Sequence, residues 1–379
     1  MKAALVLLAV LLAFAPAPAA AEETDYAALI DEELKDLDLS GWQQAANAAG
    51  EESLKAFGAE DVEQLIGSLA VGEGADVDGL FTSVAGMLKE SIAPRLALVA
   101  ALFAAAAVSG ITAQLSGGAS GVAGLICTAV AMLLAVAAFS SAVAGAQETV
   151  EALGEFTELA FPVLSVLLTA AGAAAGAGLL QPAAALLSTG VNRLFSSVLM
   201  PCVLAMGVCA LIGCLSENRT LDKLAAFFKS LAKWVCGGAG TLYLGYLAVC
   251  GIAAGSADGL SVRAAKYLTK ELVPFSGSIL SGSVDALLAS AAMIKNAVGV
   301  CAVLVMAAIL LQPLLNTMTL QLAFRLSGAL IDPVADGRLT RAVSSLADTA
   351  ACLFGIMAAA GAMSMLTAGI FAALGNTYL

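Results

Sequence analysis

The sequence predicts an all-α, polytopic membrane protein, and three observations predict it. Sixty per cent of its 379 residues are hydrophobic and only 12% are charged, a mix foreign to soluble domains. The apolar residues gather into runs of about 20, the length an α-helix needs to cross a hydrocarbon core. The excess negative charge is confined to one segment near the N-terminus, the pattern of an exported piece followed by a membrane body.

The first element is a cleaved signal peptide over residues 1–21. Lys2 supplies the positive start, Ala3 to Ala15 the apolar run, and Ala19 and Ala21 the small residues before a cut at Glu22. A retained first transmembrane helix is the competing reading, disfavoured because the run is short of a span. Cleavage would place the mature N-terminus outside the cytoplasm.

Residues 22–92 form the second element, a small helical extracytoplasmic segment. It holds 17 acidic residues against three basic ones, Lys35, Lys55 and Lys89. Tyr26, Leu29, Ile30, Leu34 and Leu37, then Leu54, Phe57, Val62, Leu65, Ile66 and Leu69, recur at three and four residues, which predicts short amphipathic helices. Gly72, Gly74 and Gly79 are expected to interrupt them. An acidic segment is exported readily, whereas a basic one would be held inside.

The multispan membrane domain, residues 93–379, is expected to contain six to eight helices. Leu96 to Leu115 and Val122 to Val143 form a hairpin about the glycine turn Gly117 to Gly121. Gln147 to Phe161 carries Glu148, Glu151, Glu155 and Glu158 on one helical face and no basic residue, so it is placed outside. Pro162 to Leu180 is the expected third span; Gly172, Gly176 and Gly178 give it a surface another backbone can approach. Pro182 to Leu215 is too long for one span and is broken by Gly190, Asn192, Arg193 and Pro201. The next loop, Glu217 to Trp234, has four basic residues against two acids and belongs in the cytoplasm. That location conflicts with a simple count of spans, and two solutions stay open: a further crossing at 183–199, or a re-entrant segment. Val235 to Gly255, Asn296 to Leu315 and Leu346 to Leu374 complete the spans, with a short apolar piece at Leu320 to Leu330 and a charged loop from Asp332 to Arg341. LLQP occurs twice, at Leu179 to Pro182 and at Leu310 to Pro313, each followed by an Arg-Leu pair and a second proline, an echo of the repeats with broken helices found in transport proteins.

The stretch from Arg263 to Gly299 concentrates the polar chemistry. Arg263, Lys266 and Lys270 fall on one helical face, with Glu271 adjacent, as in an interfacial helix ended by Pro274 whose cations meet lipid headgroups. Asp285 and Lys295 then sit in an apolar segment, ~15 Å apart along a straight helix, too far for a direct pair. Each requires a partner elsewhere, a polar pathway or a membrane edge. With Asn296 these residues are the candidate lining or docking groups.

Catalysis finds little support. There is no histidine, which removes His-based acid–base chemistry and most zinc sites. The eight cysteines include no CxxC pair and lie in or beside apolar runs, as packing residues do. Ser230 to Lys233 matches SxxK without any companion motif. No cofactor loop and no nucleic-acid-type basic surface occur.

The run KYLTKELVPFSGSILSGSVDALLASAAMIKNAVG, the LLQP at 310–313 and the IDPVADGR loop at 331–338 together closely resemble the stage III sporulation protein AE family of endospore-forming bacteria. The resemblance covers almost the whole chain, and its specific part is Asp258 to Arg338. It implies a non-enzymatic multipass subunit of the channel between mother cell and forespore, in the mother-cell membrane surrounding the forespore. It further implies other sporulation channel proteins of the same operon as partners, including a cytoplasmic-side ATPase, a ring-forming set and a forespore protein. Membrane lipid is the expected environment, and a homo-oligomer is compatible with the role. The alternative of a different class is a secondary transporter acting alone, with Asp285 and Lys295 coupling ions to substrate.

Overall fold

The computed structural model describes residues 39–48, 59, 61–71, 77–114, 118–171, 173, 177–178, 181–182, 186–216, 219–272, 277–334 and 337–374. The signal peptide and residues 22–38, 49–58, 60 and 72–76 of the acidic segment lie outside them. All long elements are helices, and no strand occurs among the described residues. Two short helices, α1 (Ser40–Ala48) and α2 (Val62–Val71), precede six elements that make the body. These are α3 (Val77–Gln114), α4 (Gly118–Ala170), α5 (Met200–Ser216), α6 (Arg219–Leu272), α7 (Gly277–Ile331) and α8 (Gly337–Ala373).

The periodicity of the acidic segment is realised in α2. Val62, Leu65, Ile66 and Leu69 are all buried, one helical face turned inward. Its first turn is capped twice. The Asp61 carboxylate accepts the Gln64 N–H at 2.7 Å, and the Gln43 side-chain oxygen accepts the Val62 N–H at 2.8 Å, satisfying two of the donors a helix start leaves unpaired. The second bond also ties α2 to α1. Trp42 of α1 is buried against Phe156 of α4, ring centroids 5.2 Å apart and near edge-to-face. The helices α1 and α2 of the acidic segment are thus packed onto the body.

The core of the body is the antiparallel pair α7 and α8, which touch from Lys295 and Leu374 at one end to Gly328 and Ser344 at the other. Their contacts act as a ruler. Gly328 faces Ser344, Thr317 lies beside Met357, Leu310 packs on Gly361, and Gly299 meets Ala372. Other helices read on the same scale: Lys229 of α6 reaches Asp348, Gly240 faces Met363, and Tyr243 bonds Thr367 at 2.7 Å. Gly207 of α5 packs on Phe139 of α4, while Gly110 of α3 abuts the Val334 carbonyl. The chain therefore descends in α3, rises in α4, descends in α5, rises in α6, descends in α7 and rises in α8. The ends of α3, α5 and α7 and the starts of α4, α6 and α8 lie at one end, and α1 and α2 lie toward the other.

Five helices are long and apolar enough to cross a membrane: Thr82–Thr112, Ile126–Ala170, Asn192–Gly213, Ala291–Ile331 and Gly337–Ala373. Alongside them runs α6, whose residues 235–255 carry no charge and pack on the upper part of α8 through Gly240 and Tyr243. Large apolar side chains such as Phe103, Ile111, Leu133, Val208, Leu242 and Leu326 stay exposed around this layer, the surface expected to face hydrocarbon.

The expected span boundaries need correction. Gln147 to Phe161 is not a loop, and Pro162 to Leu180 is not a separate crossing, because α4 runs unbroken from Gly118 to Ala170. At 1.5 Å per residue it is ~80 Å long, more than twice the thickness of a hydrocarbon layer of ~30 Å. Proline fails to break it because Pro162 costs one N–H donor while the neighbouring turns continue; the Ser165 hydroxyl donates back to the Pro162 carbonyl. Pro94 in α3 and Pro313 in α7 are absorbed likewise, and Leu320 to Leu330 is simply the end of α7. Gly79 and Gly282 lie within helices rather than between them.

With 162–180 removed from the count, the conflict over Glu217 to Trp234 disappears. Residues 186–199 are neither an extra crossing nor a re-entrant loop. They are the upper end of α5, wound as two π-helical turns, Leu186–Val191 and Phe195–Leu199, around one α turn, Asn192–Leu194. The two LLQP echoes also part company: Pro201 opens α5, whereas Pro333 sits in the turn after α7.

Candidate functional site

Polar groups inside this bundle are few, and each has a definite station. Lys295 of α7 is completely buried. Its Nζ donates to the Leu374 carbonyl just beyond α8. The last carbonyls of a helix lack intrahelical donors and carry the negative end of its dipole, so a cation there serves both needs. One turn along α7, Gly299 lets the backbone of α8 approach at Ala372, and that closeness brings Leu374 within reach of Lys295. Asn296 beside it is half-buried, with Oδ1 shut from solvent and no hydrogen-bond partner.

Arg263, Lys266, Lys270 and Glu271 fall on the helical backbone of α6 and Asp285 on that of α7; their side chains lie outside the described residues. Pro274, the predicted end of the interfacial helix, lies outside the described residues, between α6 ending at Leu272 and α7 beginning at Gly277. Of the three packing glycines, Gly172 and Gly176 lie outside the described residues. A side chain added at Gly178 would meet nothing within 4 Å among the described residues.

Two polar features escaped the sequence reading. Asn192 lies in the α turn between the π-helical turns, buried, with neither amide atom bonded. It rests on Gly154 of α4, where an added Cβ would come within 2.9 Å of its Nδ2. The second is Arg95, one residue after Pro94 in α3, whose Nε is buried without an acceptor. It lines a cleft of about 710 Å³ between α1, α4 and α7 that also takes in Glu148 and Glu155. The glutamate spacing at 147–161 signalled this wall; nothing local in the sequence signalled that α1 would roof it.

At the opposite end Asp348 of α8 accepts Lys229 at 2.6 Å and faces Arg325 at 3.8 Å. Most described basic residues of the body, Arg219, Lys223, Lys229, Lys233, Arg338 and Arg341 among them, gather toward this end. The four glutamates of α4 gather toward the other. No group of three or more potential metal ligands exists among the described residues.

Residues 61–375 match a family described as Stage III sporulation protein AE. A curated relative of that name from Bacillus subtilis (strain 168) is 23% identical over 247 residues, 65% of this chain and 62% of the relative. The alignment thus spans less than two thirds of the relative's length. No solved structure matches.

Proposed function

Because the chain belongs to the stage III sporulation protein AE family, we propose that it is a non-enzymatic membrane subunit of the transenvelope channel linking mother cell and forespore. The observation that carries the reading beyond the family name is the polarity of the bundle. Its turn end, where α3, α5 and α7 finish, holds seven of the body's thirteen basic residues (Arg219, Lys223, Lys229, Lys233, Arg325, Arg338 and Arg341), while the acidic face of α4 and the docked helices α1 and α2 lie toward the other. By the positive-inside tendency, the turn end faces the mother-cell cytoplasm and the acidic end faces the intermembrane space. The membrane would be the one around the engulfed forespore. Because α4, α6 and α7 outrun a bilayer, the acidic end would stand well clear of it, where channel proteins of the same operon would dock.

Lys295 supports a structural rather than a transport role, since it is engaged with the end of α8. The test has two arms. Crosslinking in sporulating cells should capture proteins encoded beside this one, and single cysteines at Arg338 and Glu155 should label from opposite faces of the membrane. Reconstituted alone in liposomes under an ion gradient, the chain should move no solute. Gradient-driven uptake by the isolated chain would overturn the subunit reading.

A further inference from the structure

The cleft under α1 has a composition that family membership does not explain. Its α4 wall presents Gly145, Glu148, Ala152 and Glu155, and its floor on α7 presents Ile309, Pro313 and Asn316. Arg95 enters from α3 and Gln44 from the roof. At about 710 Å³ it is of the size that holds small ligands or headgroups. Arg95 makes no ion pair with any described residue, although two carboxylates line the same cleft. A guanidinium with a desolvated, unpartnered Nε calls for a hydrogen-bonding anion. A plain anion, however, would also face Glu148 and Glu155 across a partly desolvated space, and that repulsion disfavours it. A ligand carrying both charges satisfies both walls.

The position narrows the chemistry. Arg95 is where α3 passes from the acidic segment into its exposed apolar face, with Leu96 immediately next and strongly exposed. Leu159, which lines the cleft, is also exposed. The cleft thus opens at the border of the hydrocarbon-facing layer, on the end carrying α1 and α2. Pro313 adds an acceptor: having no N–H, it leaves the Ile309 carbonyl without its helical donor.

We propose that this cleft binds the headgroup of a zwitterionic phospholipid of the phosphoethanolamine class. Arg95 and Gln44 hold the phosphate, Glu148 and Glu155 receive the ammonium, and the acyl chains leave past Leu96. This inference goes beyond the channel role and stands or falls separately from it.

The full-length protein, purified in detergent and stripped of lipid, would be titrated with phosphatidylethanolamine, phosphatidylglycerol and water-soluble glycerophosphoethanolamine, with bound mass read by native mass spectrometry. Phosphatidylethanolamine should be retained about tenfold better than phosphatidylglycerol, the effect of one charge-assisted contact. Arg95→Gln should erase about tenfold of that binding, and Arg95→Lys should keep most of it, with far-ultraviolet dichroism confirming the helices. Glu148→Gln/Glu155→Gln, exposed positions on α4, should remove the discrimination against phosphatidylglycerol while leaving overall lipid binding. Equal retention of the two lipids by the unmodified protein would overturn the proposal. So would undiminished binding in a folded Arg95→Gln, and binding of glycerophosphoethanolamine as tight as the lipid would reassign the cleft to a soluble solute. Should Arg95→Gln fail to fold, the carboxylate variant decides alone: unchanged selectivity there refutes the zwitterion.

Discussion

Gly299→Ala is the most direct test of how the core pair is held. The added Cβ would sit 2.5 Å from the Ala372 Cβ and 3.1 Å from its Cα, whereas carbon atoms in contact prefer about 3.5–4.0 Å. Backbone cannot rotate away as a side-chain tip does, so α7 and α8 must part by about 1 Å. Such overpacking costs about 1–3 kcal/mol. The same shift draws Leu374 away from Lys295, putting at risk a charge-assisted bond of about 1.5–3 kcal/mol. Against these losses stands a helix-propensity gain of about 1 kcal/mol for replacing glycine. The net expectation is destabilisation of about 1–3 kcal/mol. Gly355 of α8 supplies the control: a Cβ there meets nothing within 4 Å, so Gly355→Ala should retain the propensity gain of up to about 1 kcal/mol. Denaturant titration in micelles, followed by tryptophan fluorescence, should move the two midpoints in opposite directions. Equal stabilisation by both variants would refute the close approach at Ala372 and, with it, the account of why Lys295 is buried where it is.

Three further outcomes follow from the polar stations. Lys295→Met should leave the Leu374 carbonyl without its donor, lower stability by about 1.5–3 kcal/mol and speed hydrogen exchange in the last turn of α8 more than elsewhere. Asn192→Leu should do the reverse, stabilising the isolated protein by about 1–3 kcal/mol because two buried, unbonded amide atoms disappear. If the π-helical turns serve the channel, the same variant should lower spore yield despite its greater stability. Asp348→Asn should shift stability by less than about 1 kcal/mol, and the shift should shrink further in high salt, because Lys229, Arg325 and Asp348 are all partly exposed.

What could be read ahead of the structure was whatever depends on composition and local period. The all-α membrane class and the inward face of α2 belong to this group, whereas residues 118–121 of the expected glycine turn are already the first turn of α4. Proline misled, because its local preference marks breaks while its actual cost in a packed helix is a single hydrogen bond. Pro162 was therefore read as the start of a span, when burial of Phe156, Phe161 and Leu164 on one side of α4 carries the helix through it. Tertiary pairings were illegible for a different reason. Lys295 and Leu374 are 79 residues apart, and no period in the sequence links them. The cleft around Arg95 needs four helices to exist at all.

The misreading of Pro162 also shows why charge asymmetry was the sounder guide to topology. A hydropathy count adds one crossing for each apolar run, so a helix of 53 residues counts twice if its polar middle is taken for a turn. Charge responds instead to which compartment a residue finally occupies, and four cations against two acids in Glu217 to Trp234 called for an odd number of crossings between there and the exported segment. Three alternating helices, α3, α4 and α5, satisfy that demand without a re-entrant loop. The glutamates of α4 then take a different meaning: they form one wall of a cleft along a continuous helix that rises out of the membrane.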